Sequence, residues 1–193
     1  MRGVIHSLAF ATLTLVGGCG NGAEYQKRKA TLDSISGAVN SLASQLRNID
    51  TAALDEQVET FEHYRAFISR SLPDTIGRNM ADQLHHFFEA GDKMRAFRTN
   101  RRLLLSRASL SISQYQRLGA DLIENNIPLE QLDLHLTDEV AQASQLVRSG
   151  QDHLRGYFSN TQEFRLLRKQ VEQIIRHYNN GQLPTIISDS TGT

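Results

Sequence analysis

The sequence predicts an all-α protein, an elongated antiparallel bundle of three long helices, or of four helices if the first one breaks near Asp50. Three observations support this fold class. The 193 residues include three prolines, no tryptophan and 7% aromatic residues, and segments with the alternating pattern of strands are scarce. Apolar residues recur instead at intervals of three and four. Turn signals divide the chain into segments 25–70, 74–125 and 129–180, and short connections favour antiparallel neighbours.

The first segment, 25–70, carries two apolar helix faces in different registers. The first face follows a spacing of three and four residues and consists of Leu32, Ile35, Val39, Leu42, Leu46 and Ile49. The second face does not continue it and consists of Leu54, Val58, Phe61, Ile68 and Leu72. At the junction, Asn48, Asp50 and Thr51 are of the types that cap a new helix. The register change favours a break or kink there, and the alternative is a discontinuity within one curved helix.

The second and third segments each carry one apolar face over about fifty residues, enough for rods of roughly 75 Å. Pro73 and Asp74 mark the start of the second helix, since proline and an acidic residue suit a first turn. Pro128 ends the turn before the third helix, and the Asn-Asn-Gly sequence at 179–181 terminates that helix. Residues 181–193, rich in serine, threonine and glycine, are predicted to be a disordered tail.

Residues 1–18 are predicted to be a secretory signal peptide. Met1 and Arg2 precede an apolar stretch that ends in Gly17 and Gly18, which is the basic, apolar and small-residue order of such segments. Polar residues interrupt this stretch, and it is shorter than the roughly 20 residues that span a bilayer as a helix. A retained transmembrane anchor is therefore the weaker interpretation.

The only cysteine of the chain, Cys19, follows directly. The sequence Val16, Gly17, Gly18, Cys19 resembles the lipobox of bacterial lipoproteins, with a branched aliphatic residue three positions before the cysteine and small residues between them. The resemblance implies cleavage before Cys19, a diacylglycerol thioether on its sulfur, and an acyl chain such as palmitate on the new amino group. At about 0.8 kcal/mol per buried methylene, three acyl chains hold a protein at a membrane permanently.

The lipoprotein resemblance also bears on location. It implies the bacterial cell envelope, and the outer membrane if the source is a diderm, because Gly20 rather than aspartate follows the cysteine. Residues 19–24 are predicted to be a short flexible tether between the anchor and the bundle domain, 25–180. The alternatives for Cys19 are an ordinary thiol and a plain secreted protein, although a lone cysteine in an oxidising compartment has no internal disulfide partner.

The charge balance limits the classes of partner. Loss of the 18-residue signal peptide leaves 175 residues, a size that suits one domain, with 20 basic and 21 acidic side chains and a net charge of −1. Such a chain has no bulk positive field to attract nucleic acid. The predicted partners are the membrane, through the lipid anchor, and an unidentified protein or cell-envelope component.

His85, His86 and Glu89 are the strongest candidates for a metal or ligand site, because positions three and four apart share a helix face. Glu59 and His63 form a second pair of this kind. A di-iron bundle requires two Glu-x-x-His pairs, and the chain contains none. Signatures of haem attachment, serine hydrolases, phosphate-binding loops and zinc proteases are absent as well. The sequence therefore predicts no catalytic residue, no metal ligand and no cofactor.

One basic cluster lies within the second predicted helix. Its members are Lys93, Arg95, Arg98, Arg101, Arg102 and Arg107. Lipid headgroups or an acidic envelope polymer would suit such a cluster, and the alternative is ion pairing with acidic residues of neighbouring helices. Most aromatic residues lie on the apolar faces, which favours core packing over a ligand groove.

The sequence as a whole predicts a lipid-anchored envelope protein that acts as a non-catalytic interaction, spacer or scaffold module at the membrane surface. The alternatives are a periplasmic or surface sensor, with a ligand pocket between helices near His85, His86 and Glu89, and an envelope hydrolase. The mature part loosely resembles helical cell-wall-binding and coiled-coil lipoproteins. That resemblance assigns no functional residue.

Overall fold

Four helices make up nearly all of the described chain. They are α1 (Gly20–Arg47), α2 (Thr51–Ser71), α3 (Arg78–Glu124) and α4 (Leu129–Tyr178). The computed structural model describes residues 20–73, 76–124 and 127–184, and no strand occurs within these ranges. The all-α prediction is confirmed, in its four-helix form. The predicted signal peptide, Cys19 and residues 185–193 lie outside the described residues.

Helices α3 and α4 form a long antiparallel hairpin, and α1 and α2 follow one another along it. Near the hairpin turn, Arg28 of α1 donates two hydrogen bonds of 2.8 Å to Asp133, at the start of α4. At the other end, the Tyr64 hydroxyl of α2 donates to Glu172 of α4 over 2.9 Å. Helices α1 and α2 both pack on α3 and α4, and in the described part of the chain they do not pack on each other. A cross-section of the bundle therefore contains three helices, namely α3, α4 and either α1 or α2.

The break between α1 and α2 is capped on both sides. Asp50 accepts a hydrogen bond of 3.0 Å from the backbone N–H of Ala53, which makes it the N-cap of α2. On the other side, the Arg101 guanidinium donates to the carbonyl of Leu46 over 2.7 Å. The last carbonyls of a helix have no partner within it, and a cation is favourable at that end. The predicted break near Asp50 is confirmed.

The core divides into two parts along the bundle. The part near the hairpin turn, the turn-end core, is aliphatic apart from one tyrosine, and includes Leu32, Val39, Ala43, Ala108, Tyr115, Leu118, Leu132, Leu136 and Ala143. The part under α2, the far-end core, is rich in aromatic residues, and includes Phe61, Tyr64, Phe87, Phe97, Tyr157, Phe164 and Ile175. Leu105, Leu146 and Val147 contact both. Small side chains in the turn-end core let the helices approach, and large aromatic rings fill the far-end core.

Three predicted boundaries differ from the structure. Residues 20–24 belong to α1 rather than to a flexible tether, and Glu24 and Arg28 form an ion pair of 3.0 Å that supports this first stretch of helix. Helix α3 begins at Arg78 rather than at position 74, after the non-helical Gly77. The predicted tail does not begin at 181, because residues 181–184 are held against the end of α4.

The end of α4 confirms the predicted terminator. The helix stops at Tyr178, and Asn180 and Gly181 take positive φ angles of 51° and 83°. Glycine adopts such angles without a steric penalty, and asparagine tolerates them better than most residues. The backbone N–H of Gly181 then donates to the carbonyl of Arg176 over 2.8 Å, as in a Schellman ending.

Candidate functional site

The histidine group does not form a metal centre in the structure. His85, His86 and Glu89 are all exposed on α3, and the two imidazole centroids are 5.7 Å apart. Glu89 is engaged by Lys93 at 2.7 Å, and this hydrogen bond holds the pKa of the carboxyl below its ordinary value. Across residues 20–73, 76–124 and 127–184, no three His, Cys, Asp or Glu side chains lie where they could hold a metal ion.

The basic cluster is largely engaged by neighbouring helices. Arg95 contacts Glu62 of α2 at 3.2 Å, and Arg98 lies 3.6 Å from Asp55 of α2. Arg101 is bonded to the backbone of α1, as described above. The structure therefore favours the ion-pairing alternative for the side chains that face α1 and α2. Arg102 and Arg107 remain exposed on α3.

A different surface, on α4, combines exposed apolar and basic side chains. We call it the α4 ridge and define it as Phe158, Gln162, Arg165, Leu166 and Lys169. Phe158 and Leu166 are 62% and 64% exposed, which places them among the few large apolar side chains that the described bundle leaves in solvent. All five residues line one shallow groove along the helix. These side chains together form a mixed apolar and basic strip along one side of α4.

The two basic residues of the α4 ridge, Arg165 and Lys169, differ from their neighbour Arg168 in their ion pairing. Arg168 bonds Glu172 at 2.8 Å and Glu56 of α2 at 3.3 Å. In the described part of the chain, no carboxylate pairs with Arg165 or Lys169. These two cations lie four residues apart on one helix face, beside the apolar side chains. The ridge therefore carries uncompensated positive charge.

The same network fixes α2 beside the ridge. Tyr64 is buried, and its hydroxyl donates to the Glu172 carboxylate that Arg168 also contacts. Burial, reinforced by the bond to Glu172, raises the pKa of Tyr64 to about 12. The hydroxyl therefore stays protonated and donates to Glu172 throughout the neutral range.

The floor of the groove contains a polar atom without a partner. Thr161 is buried between the ridge and the far-end core, and its hydroxyl makes no hydrogen bond with the described residues. Such a group costs about 1–3 kcal/mol when it is shielded from water and unpaired. On the core side, Tyr157 stacks on Phe97 with ring centroids 4.4 Å apart.

Sequence reasoning missed this surface. The apolar face of α4 passes through Leu154, Tyr157, Thr161 and Phe164, and Phe158 lies beside it. The sequence feature that could have indicated this surface is a second apolar pair, Phe158 and Leu166. This pair lies outside the main apolar face of α4 and has basic residues beside it. A second stripe is visible in sequence, but its exposure depends on which neighbours cover it.

A buried carboxylate lies at the interface of α3 and α4, nearer the hairpin turn. Glu139 is buried and accepts a hydrogen bond from the Gln114 side-chain amide of α3. Burial raises the pKa of this carboxyl, because an ionised group loses solvation inside the bundle. The bond from Gln114 opposes this effect without cancelling it.

We expect Glu139→Gln to stabilise the bundle near neutral pH by about 1 kcal/mol, since the amide keeps a hydrogen-bond acceptor and removes a buried charge. Because the pKa of Glu139 is raised in the folded state, ionisation of this carboxyl lowers the free energy of unfolding of the wild type. This loss occurs only at pH values above the pKa that the carboxyl has in the unfolded chain. The gain should therefore shrink as the pH falls and vanish once the carboxyl is protonated in both states. Urea unfolding at several pH values measures it.

The matched control is Glu163→Gln, an exposed position on the same helix, where the change should stay within about 0.5 kcal/mol at every pH. Equal effects of the two substitutions at neutral pH would contradict a buried charge at position 139.

None of the described helices combines the length and apolar character needed to cross a membrane. Comparisons with models of known protein families, with curated proteins and with solved structures find no match to this chain.

Proposed function

We propose that this protein is a lipid-anchored component of the bacterial cell envelope, in which the helical bundle acts as a non-catalytic interaction or spacer module beside the membrane. The observation that carries the proposal is the lipobox-like sequence ending at Cys19, directly before the first residue of α1. In a diderm source, glycine at position 20 favours the outer membrane. Its partners are the membrane, through the anchor, and a protein or envelope component, with no role for nucleic acid.

The fold supports this function through the position of the anchor. Gly20 starts α1, and Arg28, two turns later, is bonded to Asp133 at the start of α4. The start of α1 therefore lies at the end of the bundle that contains the hairpin turn. Because Cys19 directly precedes Gly20 in the sequence, a lipid on Cys19 would be attached beside the first turn of α1 and would hold this end of the bundle near the membrane.

The α4 ridge lies well away from that end. Phe158 and Lys169 follow Asp133 by 25 and 36 residues along α4, or about 38 and 54 Å at about 1.5 Å per residue. If the bundle stands upright on its anchor, the ridge is presented to partners beyond the reach of the lipid headgroups. This geometry supports a spacer that displays a binding surface at a set distance from the membrane.

Substitution of the anchoring residue is the direct test. We expect Cys19→Ala to abolish lipid attachment, because only the cysteine sulfur can form the thioether. In the encoding bacterium, the variant should shift from the membrane fraction to unprocessed precursor or soluble protein. Mass spectrometry of the N-terminal peptide should find acylated Cys19 in the wild type alone.

Gly22→Ala is the matched control, because it leaves residues 16–19 intact and a β-carbon there meets nothing within 4 Å. This variant should be acylated and located as the wild type is. Normal processing and membrane location of Cys19→Ala would rule out the proposed anchor.

A further inference from the structure

We propose that the α4 ridge binds an acidic amphipathic helix of a partner protein, which packs along α4 over Phe158 and Leu166 and pairs its carboxylates with the ridge cations. This inference deepens the interaction role given above and rests on that role, but it does not require the lipid anchor. Three features of the described residues carry it: the spacing of the apolar side chains, the unpaired charge beside them, and the carboxylates on either side of the ridge.

The apolar side chains of the ridge have a spacing that a second helix can match. Phe158 and Leu166 are eight residues apart, or about 12 Å along α4. Apolar side chains on one face of an amphipathic helix recur at seven and eight residues, and such helices bind by laying that face on a groove. Both ridge side chains keep more than half of their surface in solvent, and burial of such area contributes roughly 25 cal/mol per Å². One helix laid along α4 therefore covers both.

The cations of the ridge determine the charge of that helix. Arg165 precedes Leu166 directly, and Lys169 follows it by three residues, so the two cations lie beside the apolar side chains. In the described part of the chain, no carboxylate pairs with either cation. Opposite charges across an interface select the partner, and like charges disfavour it. The bound helix therefore carries acidic residues along the edge of its apolar face.

Carboxylates on both flanks confine the positive charge to a narrow strip. On the α2 side, Glu172 and Glu56 hold Arg168 at 2.8 and 3.3 Å. On the α3 side, Glu163 is exposed, and its charge acts on Lys93 of α3. A flat anionic surface, such as a bilayer of acidic lipids, would meet these carboxylates as it reached the ridge. A helix packs about 8–10 Å from the axis of its neighbour and can contact the strip alone.

A second copy of the chain is a poor occupant. Two ridges that face each other would bring like charges together. Among the described residues, the other exposed apolar pair with helical spacing is Leu103 and Leu110, seven residues apart on α3. The exposed Arg102 and Arg107 lie beside that pair, so it would repel the ridge as well. The acidic helix is therefore assigned to a different protein.

Site-specific photocrosslinking in intact cells of the encoding bacterium tests the proposal. The photoreactive amino acid p-benzoylphenylalanine replaces Gln162, which is exposed midway between Phe158 and Leu166. We expect a crosslink to one partner protein. Mass spectrometry should place the contact in a helical segment that has apolar residues seven or eight apart and more acidic than basic residues.

Leu134 is the matched control position for the crosslinker. It is 70% exposed on the same helix and lies about 42 Å from Gln162. The photoreactive residue at position 134 should not reach the acidic segment. A crosslink from position 134 to that segment would contradict binding at the ridge.

The affinity of the identified segment is the second measurement. A synthetic peptide of that segment is titrated against the purified protein, and Arg165→Glu is expected to weaken binding about tenfold, or about 1.4 kcal/mol. Exchange of a facing acidic residue of the peptide for lysine should restore the affinity of this variant. Arg107→Glu is the control, because Arg107 lies beside Gln145, about 30 Å along α4 from Arg165, and charges so far apart are screened.

The proposal is overturned if position 162 crosslinks to lipid or glycan alone, to a second copy of the chain, to a segment without an acidic excess, or to nothing. Equal affinities of the wild type and Arg165→Glu would overturn it as well. Fractionation of the same cells tests the anchor separately. Membrane-bound protein without a ridge partner contradicts this inference alone, and soluble protein that still crosslinks to the acidic helix contradicts the anchor alone.

Discussion

Phe87→Ala is expected to lower the free energy of unfolding by about 3–5 kcal/mol, the usual cost of removing a buried aromatic side chain. Phe87 is fully buried on α3. Its ring stacks on Phe164 of α4 at 5.0 Å between centroids and meets Phe61 of α2 edge-on at 5.8 Å. Phe87 therefore joins three helices in the far-end core, and its loss leaves a cavity that none of them can fill alone.

Denaturant unfolding followed by circular dichroism measures this loss. Since domains of this size are stable by only about 5–15 kcal/mol, the variant should unfold at a much lower denaturant concentration. Leu110→Ala is the matched control, because Leu110 is 68% exposed on the same helix, and its removal should cost no more than about 0.5 kcal/mol. A loss below about 1 kcal/mol for Phe87→Ala would contradict the packing described for this core.

Gly91→Ala and Gly37→Ala are expected to change stability in opposite directions. Alanine is favoured over glycine in a helix interior by about 1 kcal/mol, so an open site should gain stability. At Gly37 a β-carbon meets nothing within 4 Å, and we expect a gain of that size. At Gly91 a β-carbon would lie 2.1 Å from the ring of Phe61, and we expect a loss of about 1–3 kcal/mol.

The loss at Gly91 is expected because the ring of Phe61 cannot move aside. Phe61 is fully buried and contacts Phe87, Phe88 and Phe164. A shift of the ring would disturb all three contacts, and a shift of the backbone would separate α2 from α3. Thermal unfolding of both variants tests the pair. A melting temperature for Gly91→Ala equal to or above that of Gly37→Ala would show that α2 does not approach α3 as closely as described.

The helices and their buried faces were predictable because they depend on spacing within each helix. Leu32, Val39 and Leu46 are buried as their spacing of three and four requires, and Asp50 caps α2 as its residue type suggests. The turn at Asn180 and Gly181 that ends α4 was also predictable from local sequence, because asparagine and glycine are the residue types that best adopt its positive φ angles.

The candidate site was not predictable in this way. Arg101, which the sequence places in a basic cluster with two alternative roles, caps α1 by donating a hydrogen bond to a carbonyl 55 residues away. Phe158 and Leu166 are no less apolar than their buried neighbours, yet they lie on the flank of α4 that the described helices leave uncovered. Whether such a side chain is buried depends on which helix passes beside it, and its own sequence neighbourhood does not contain that information.

The sequence by itself determined that this protein is helical, where the helices begin and end to within a few residues, and which stripe of each faces inward. It also contains the lipobox-like motif, a local pattern on which the proposed anchor rests. Only the tertiary structure decided the axial register of the helices, through contacts such as that between Arg28 and Asp133, 105 residues apart. Periodicity repeats along a helix and so leaves the sliding of one helix on another undetermined. That register decides which glycine meets a ring, which carboxylate is buried and which cations remain unpaired on α4.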